Sequence, residues 1–123
     1  MKNAKWIKCP SDIGTVSPVF EKEIDAASAV KKASICVSAI GLYALYINGE
    51  RIGDSVLCPG WSYYDDHVQY QKYDITEYMS APSKISIAVG KGWASTRVGF
   101  DPETKYDDCM SVIAMIDIKY ENG

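Results

Sequence analysis

The 123-residue chain predicts an all-β domain, a sandwich or barrel of short antiparallel strands. Two observations carry this expectation. Apolar and polar residues alternate in short runs separated by Gly, Pro, Asn and Asp. Asn48-Gly49 lies between two such runs. It is the strongest short-range hairpin signal, because both central residues of a type I′ turn take positive φ. The alternation of strands and helices that marks a parallel sheet does not occur.

Residues 20–24 (FEKEI) alternate as a half-buried strand does. Residues 25–32 are Ala-rich behind Asp25 and read as one capped helical turn or a loop. Residues 33–40 (ASICVSAI) and 42–47 (LYALYI) are strands, and 50–53 begin the return arm of the Asn-Gly hairpin. Residues 55–66 form a loop with a Pro59-Gly60-Trp61 step. In 68–73 (VQYQKY), Val68 and Tyr70 share one face and Gln69, Gln71 and Tyr73 the other, so the glutamines mark a wet face. Asp74 caps a short turn at 74–77, which Pro82 ends. Residues 84–89 (KISIAV) and 109–120 (CMSVIAMIDIKY) are strands on either side of a long loop, 90–108. Gly90 and Gly92 suit a tight turn or bulge, since a phosphate loop needs a following helix.

Asn122-Gly123 follows an alternating strand and announces a hairpin whose second arm lies beyond it. The sandwich is therefore expected to be C-terminally truncated, with an open edge on which two copies of the chain pair. Residues 1–19 are read as an N-terminal extension or first-strand region, and 20–123 as the sandwich.

Composition narrows the function. At 47% apolar and 24% charged residues the chain is globular. Its net charge is −3 and its basic residues are dispersed, which argues against nucleic acid. No apolar run approaches the roughly 20 residues of a membrane span. One histidine, His67, and four separated cysteines without C-x-x-C argue against zinc. His67 reads as a surface or interface residue. Cys36, in an apolar run, reads as a reduced core residue. The first residues, MKNAKWIKCPSD, lack the apolar stretch of a signal peptide, so a cytoplasmic location is expected.

The run GLYALYINGERIGDSVLCPGWSYYDDHVQYQKYDIT resembles the N-terminal domain of bacterial α-L-rhamnosidases, glycoside hydrolase family 78. The resemblance rests on Gly41 and Tyr43, Asn48-Gly49, Ile52-Gly53-Asp54, Pro59-Gly60-Trp61, Tyr64, Val68-Gln69-Tyr70 and Tyr73-Asp74-Ile75-Thr76. Gly90-Lys91-Gly92-Trp93 and the strand ending in Tyr120-Glu121-Asn122-Gly123 extend it, while Ala94-Ser95-Thr96 depart from the family's pattern. It implies a jelly-roll β-sandwich of the galactose-binding-domain-like kind. It also implies a parent glycoside hydrolase whose acid and base carboxylates lie in a separate α/α-barrel of the same chain. The 123 residues would then be a non-catalytic accessory domain that meets L-rhamnose-containing glycosides. The alternatives are a binding module for another sugar and a purely structural interdomain sandwich.

The acids agree with a non-catalytic reading. A glycosidase needs two carboxylates facing each other about 5–9.5 Å apart. Asp65-Asp66 and Asp107-Asp108 are adjacent pairs whose members point apart, so they read as solvated loop acids. Sugars stack their C–H faces on aromatic rings and hydrogen-bond through their hydroxyls. Trp93, Arg97, Tyr63, Trp61, Asp65 and Asp66 are therefore the candidate sugar-binding residues. The competing reading is that the tryptophans plug the ends of the sandwich, and it is the favoured one for Trp61. Calcium takes six to eight oxygens. Asp54, Asp101, Asp107 and Asp108 are its candidate ligands, and some domains resembling this one bind rhamnose through a calcium ion.

Overall fold

The computed structural model describes residues 1–10, 16–62, 66–94 and 110–123. Among the described residues there are eight strands: β1 (Ile7–Lys8), β2 (Val19–Ile24), β3 (Val30–Ile40), β4 (Leu42–Ile47), β5 (Glu50–Arg51), β6 (Gln71–Asp74), β7 (Ser83–Gly90) and β8 (Ser111–Tyr120). Short 3₁₀ turns cover Thr76–Ser80 and Gly92–Ala94. One sheet has the order β1-β8-β3-β6 and the other β2-β7-β4-β5. Every pairing is antiparallel. Two facing four-stranded sheets in this order are the jelly roll.

The expected strands lie where alternation places them, with two differences. Residues 25–29 form a loop, and β3 begins at Val30, inside the stretch read as a helical turn or loop. β6 begins only at Gln71, and its Gln71 and Tyr73 are half-buried while Lys72 and Asp74 are exposed. The face read as wet is thus the inner one at these two residues, because Gln71 finds partners inside the fold. Among the described residues β1 pairs with β8 at Ser111 and Val112. β1 itself comes from the segment read as an extension or first strand.

The core lies between the sheets. Ile35, Val37 and Val112 from one meet Leu45, Ile47, Ile85, Ile87 and Val89 from the other. β3 is buried on both faces from Ala33 to Ala39, as a central strand beneath a covering loop can be. Cys36 is a buried free thiol, as expected, and alternation places it with Ser34 and Ser38 on the face of β3 away from the inter-sheet cluster. Ser38 Oγ donates to the Gln69 carbonyl, which fastens the segment before β6 over that face.

The Asp-Ile-Thr step closes one end of the core. Ile75 is fully buried, and its N–H donates to the Ala33 carbonyl at 3.0 Å. The Ala33 N–H donates to Thr76 Oγ1 at 2.9 Å. Asp74 Oδ1 accepts from the Thr76 N–H at 3.0 Å and from its hydroxyl at 2.6 Å. Asp74 therefore builds an Asx turn two residues ahead of itself, and Ile75, not Asp74, holds the N-cap position. The two Thr76 hydrogen bonds hold the Asp74 carboxyl below its usual titration range.

At the Asn48-Gly49 hairpin both residues have positive φ, 51° and 82°, as a type I′ turn requires. Gly41, between β3 and β4, has φ of +123°, and a Cβ there would lie 2.2 Å from the Gly90 carbonyl oxygen. Gly41→Ala is expected to lower stability by about 2 kcal/mol or more, since a left-handed L-residue alone costs about 1–2 kcal/mol and the chain must also move. Urea unfolding of the two proteins checks it. An alanine variant as stable as the parent would contradict the close approach.

Candidate functional site

Two loops leave the sheet at the start of β4. The Tyr43 N–H donates to the Cys58 carbonyl at 2.8 Å, so the Pro-Gly-Trp loop attaches on one side of that strand. Leu42 pairs with Gly90 on the other side, so the Gly92–Ala94 turn springs from the far neighbour. Strand spacing puts the two attachments roughly 10 Å apart, at one end of the sandwich. A Cβ on Gly92 would meet Leu42 Cγ at 2.5 Å, which seats that turn against β4.

A polar cluster lies beneath the Pro-Gly-Trp loop. The Tyr43 hydroxyl, from one sheet, donates to Gln71 Oε1 of the other at 2.7 Å. Gln71 Nε2 donates to the Pro59 carbonyl at 3.1 Å. That carbonyl can only accept, so it fixes the orientation of the amide and makes Tyr43 the donor. The Tyr73 hydroxyl, 3.0 Å away, then gives its proton to Tyr43. Burial, followed by the contacts with Tyr73 and the Cys58 thiol, drives the Tyr43 phenol far above the usual tyrosine range. Burial also raises Tyr73. Both phenols stay protonated and directional, which suits bracing rather than proton transfer.

The same cluster holds a tryptophan outward. Cys58, Pro59 and Trp61 each have a carbonyl that accepts a hydrogen bond, from the Tyr43 N–H, Gln71 Nε2 and Gln69 Nε2 respectively. Trp61 has its backbone pinned this way and is 55% exposed. The packing role expected for Trp61 is not what the structure shows. The plug at this end is Pro59 with Cys58, both buried, and the indole faces solvent. Ser62 beside it is buried, and its hydroxyl has no hydrogen-bond partner among the described residues.

Trp93 is half-buried on the Gly92–Ala94 turn. Asp66 is exposed, with His67 Nδ1 3.4 Å from its Oδ2, a surface pair that agrees with the expectation for His67. Asp54 is exposed on the loop after β5. Tyr63, Asp65, Arg97, Asp101, Asp107 and Asp108 lie outside the described residues. Among the described residues no three His, Cys, Asp or Glu side chains converge on one point, so no calcium ligand set is assembled there.

Reading along the strands misses the cluster of Tyr43, Gln71 and Tyr73. Its signal is present in V-Q-Y-Q-K-Y, where Gln71 and Tyr73 share a face. A glutamine facing the core side needs an internal partner, and the partner comes from a different sheet.

Tyr43→Phe leaves the Gln71 carbonyl and the Tyr73 hydroxyl short of a partner, and is expected to cost about 1–3 kcal/mol. It also changes the alkaline limb. The folded phenols titrate above the unfolded value near 10, so their contribution is complete below pH 10 and is lost as pH rises toward the folded values. Urea midpoints between pH 7 and 11.5 should fall more steeply for the parent protein than for the variant. Trp61→Ala should stay within about 0.5 kcal/mol of the parent, as exposed positions do. A loss of several kcal/mol would show that the indole packs.

Comparison with known proteins agrees with this architecture. Residues 28–123 match the family described as Alpha-L-rhamnosidase N-terminal domain. An α-L-rhamnosidase of Streptomyces avermitilis is 33% identical over 95 residues, 76% of this chain and 9% of the relative. One from Formosa agariphila is 31% identical over 116 residues, 89% of this chain and 12% of the relative. The crystal structure of native α-L-rhamnosidase from Aspergillus terreus superposes with a TM-score of 0.81 at 32% identity, over 91% of this chain and 13% of that one. That of the Streptomyces avermitilis enzyme complexed with L-rhamnose gives 0.78 at 30% identity, over 85% and 10%. The chain thus spans about a tenth of the length of the relatives it matches. The family match over residues 28–123, the relatives above 30% identity and the shared sandwich agree, and the chain belongs to the α-L-rhamnosidase N-terminal domains.

Proposed function

We propose that this domain is a non-catalytic accessory module of an α-L-rhamnosidase, which helps hold rhamnosides at the end of the sandwich where β4 begins. The observation that carries the proposal is the exposed Trp61 indole on a loop whose carbonyls are tied down at residues 58, 59 and 61. Sugar rings stack on aromatic faces, and a platform already fixed loses little freedom when it binds. Trp93 lies on the turn that attaches on the opposite side of the same strand, within the same end of the sandwich.

In this reading the catalytic carboxylates belong to another domain of the parent enzyme, and the present chain supplies contact and bracing. It should not turn over an aryl α-L-rhamnoside by itself. Release of the aryl group above the uncatalysed rate, abolished by one Asp→Asn change in this chain, would overturn that part.

The binding test is a titration with L-rhamnose followed through the three tryptophan indole resonances, once with calcium and once with a chelator. Trp61 and Trp93 should shift at millimolar sugar. Alanine at either should weaken binding by about 1–3 kcal/mol, by analogy with the stacking of bases on aromatic side chains. A shift only in the calcium arm would bring the aspartates outside the described residues into the site. Still signals in both arms would leave a domain that braces its neighbours without touching sugar.

A further inference from the structure

We infer that the outer face of the sheet containing β6, β3 and β8 carries a binding cleft for a carboxylate-bearing sugar, a hexuronate. The cleft is about 370 Å³ and is lined by Lys32, Ser34, Lys72, Asp117, Ile118 and Lys119. That volume lies toward the lower end of the range for small-molecule sites. Its floor is Ser34, a short side chain between longer ones. Ser34 lies opposite Asp117 of β8 on one side and Asp74 of β6 on the other. Alternation with the core residue Ile35 turns it outward, yet only 8% of it is exposed. Its hydroxyl has no hydrogen-bond partner among the described residues. A buried hydroxyl left without a partner is costly, and this one borders the cleft.

The charges around the floor describe the ligand. Lys32 of β3, Lys72 of β6 and Lys119 of β8 are all exposed. Lys32 and Lys119 face each other across the β3–β8 ladder. Like charges directly opposed are destabilising, and no ion pair relieves them among the described residues. Lys72 stands across from Cys36, two residues along the same face from Ser34. Neighbouring strands are roughly 5 Å apart and alternate residues roughly 7 Å apart, so an anion above Ser34 is within reach of all three ammonium groups. Asp74 is already committed to Thr76 through its Oδ1. Asp117 narrows the choice further. A carboxylate accepts hydrogen bonds and donates none, so it repels a second bare anion and accepts from hydroxyl groups. The ligand that satisfies both sets carries one acid and several hydroxyls on a small frame, as a hexuronate does. Phosphate and sulfate concentrate charge without a hydroxylated ring, and a neutral sugar lacks the acid.

The cleft lies over β3, which is flanked by β8 and β6, so it depends on no strand edge. It sits toward the Asp74 end of β6. The Trp61 loop is held at the other end, through Gln69 and Gln71. The inference therefore stands apart from rhamnose binding.

Titration of the isotope-labelled chain with D-glucuronate, D-glucose and inorganic phosphate tests it, with the backbone amides of Ser34, Lys72 and Asp117 as reporters. Glucuronate should shift all three at millimolar concentration, glucose should shift none, and phosphate should bind less tightly than glucuronate. Lys72→Ala and Lys119→Ala should each weaken glucuronate binding by about threefold, as for exposed ion pairs. Ser34→Ala should weaken it by about fivefold or more, the loss of a hydrogen bond to a charged group. Lys22→Ala, on the other sheet, should leave it unchanged. Urea midpoints verify that the variants fold, and the two cleft lysines are exposed enough for this to hold. Glucuronate that moves none of the three amides overturns the inference. So does glucose or phosphate that binds as tightly, binding that no cleft variant weakens, or equal weakening by Lys22→Ala.

Discussion

The hydrogen bond from the Tyr43 phenol to the Gln71 amide joins the two sheets at the end where β4 begins. It is a polar contact made largely out of water, so it is only favourable if every group in it is satisfied. The Pro59 carbonyl meets that condition by accepting from the other end of the amide. One amide thereby sets the spacing of two sheets and the position of a loop. The half-buried Tyr73 hydroxyl completes the set, and no member needs to ionise.

At the opposite end of β6 the same economy recurs. Ala33, near the start of β3, uses both its backbone groups on the Asp-Ile-Thr turn, its N–H on Thr76 and its carbonyl on Ile75. Asp74 shapes the turn from the solvent side, and Ile75 fills the core from within. β6 is four residues long and, among the described residues, pairs only with β3. Its ladder alone is a weak attachment, and these two anchors, one polar and one largely apolar, explain why so short an edge strand has a defined place. Fixing β6 also fixes Gln69 and Gln71, and through them the loop that presents Trp61.

The strands and their inner faces are legible in the residues wherever alternation is long enough, as in 42–47, 84–89 and 111–120, because a period of two admits one way to bury an apolar face. Asn48-Gly49 specifies its hairpin, because positive φ at two successive residues is a local demand. The short motifs point to the family, since each reports a local backbone need. Folding in three dimensions settles the company each polar residue keeps. Gln71 looks wet along its own strand and is half-buried because Tyr43 and Pro59, 28 and 12 residues away, meet it across the sandwich. Trp61 looks like a plug and is exposed because Pro59 and Cys58 already occupy the end of the core. Alternation reports the faces of one strand, but a hydrogen-bond partner on another sheet is a property of how the sheets are stacked, and only the folded chain contains it.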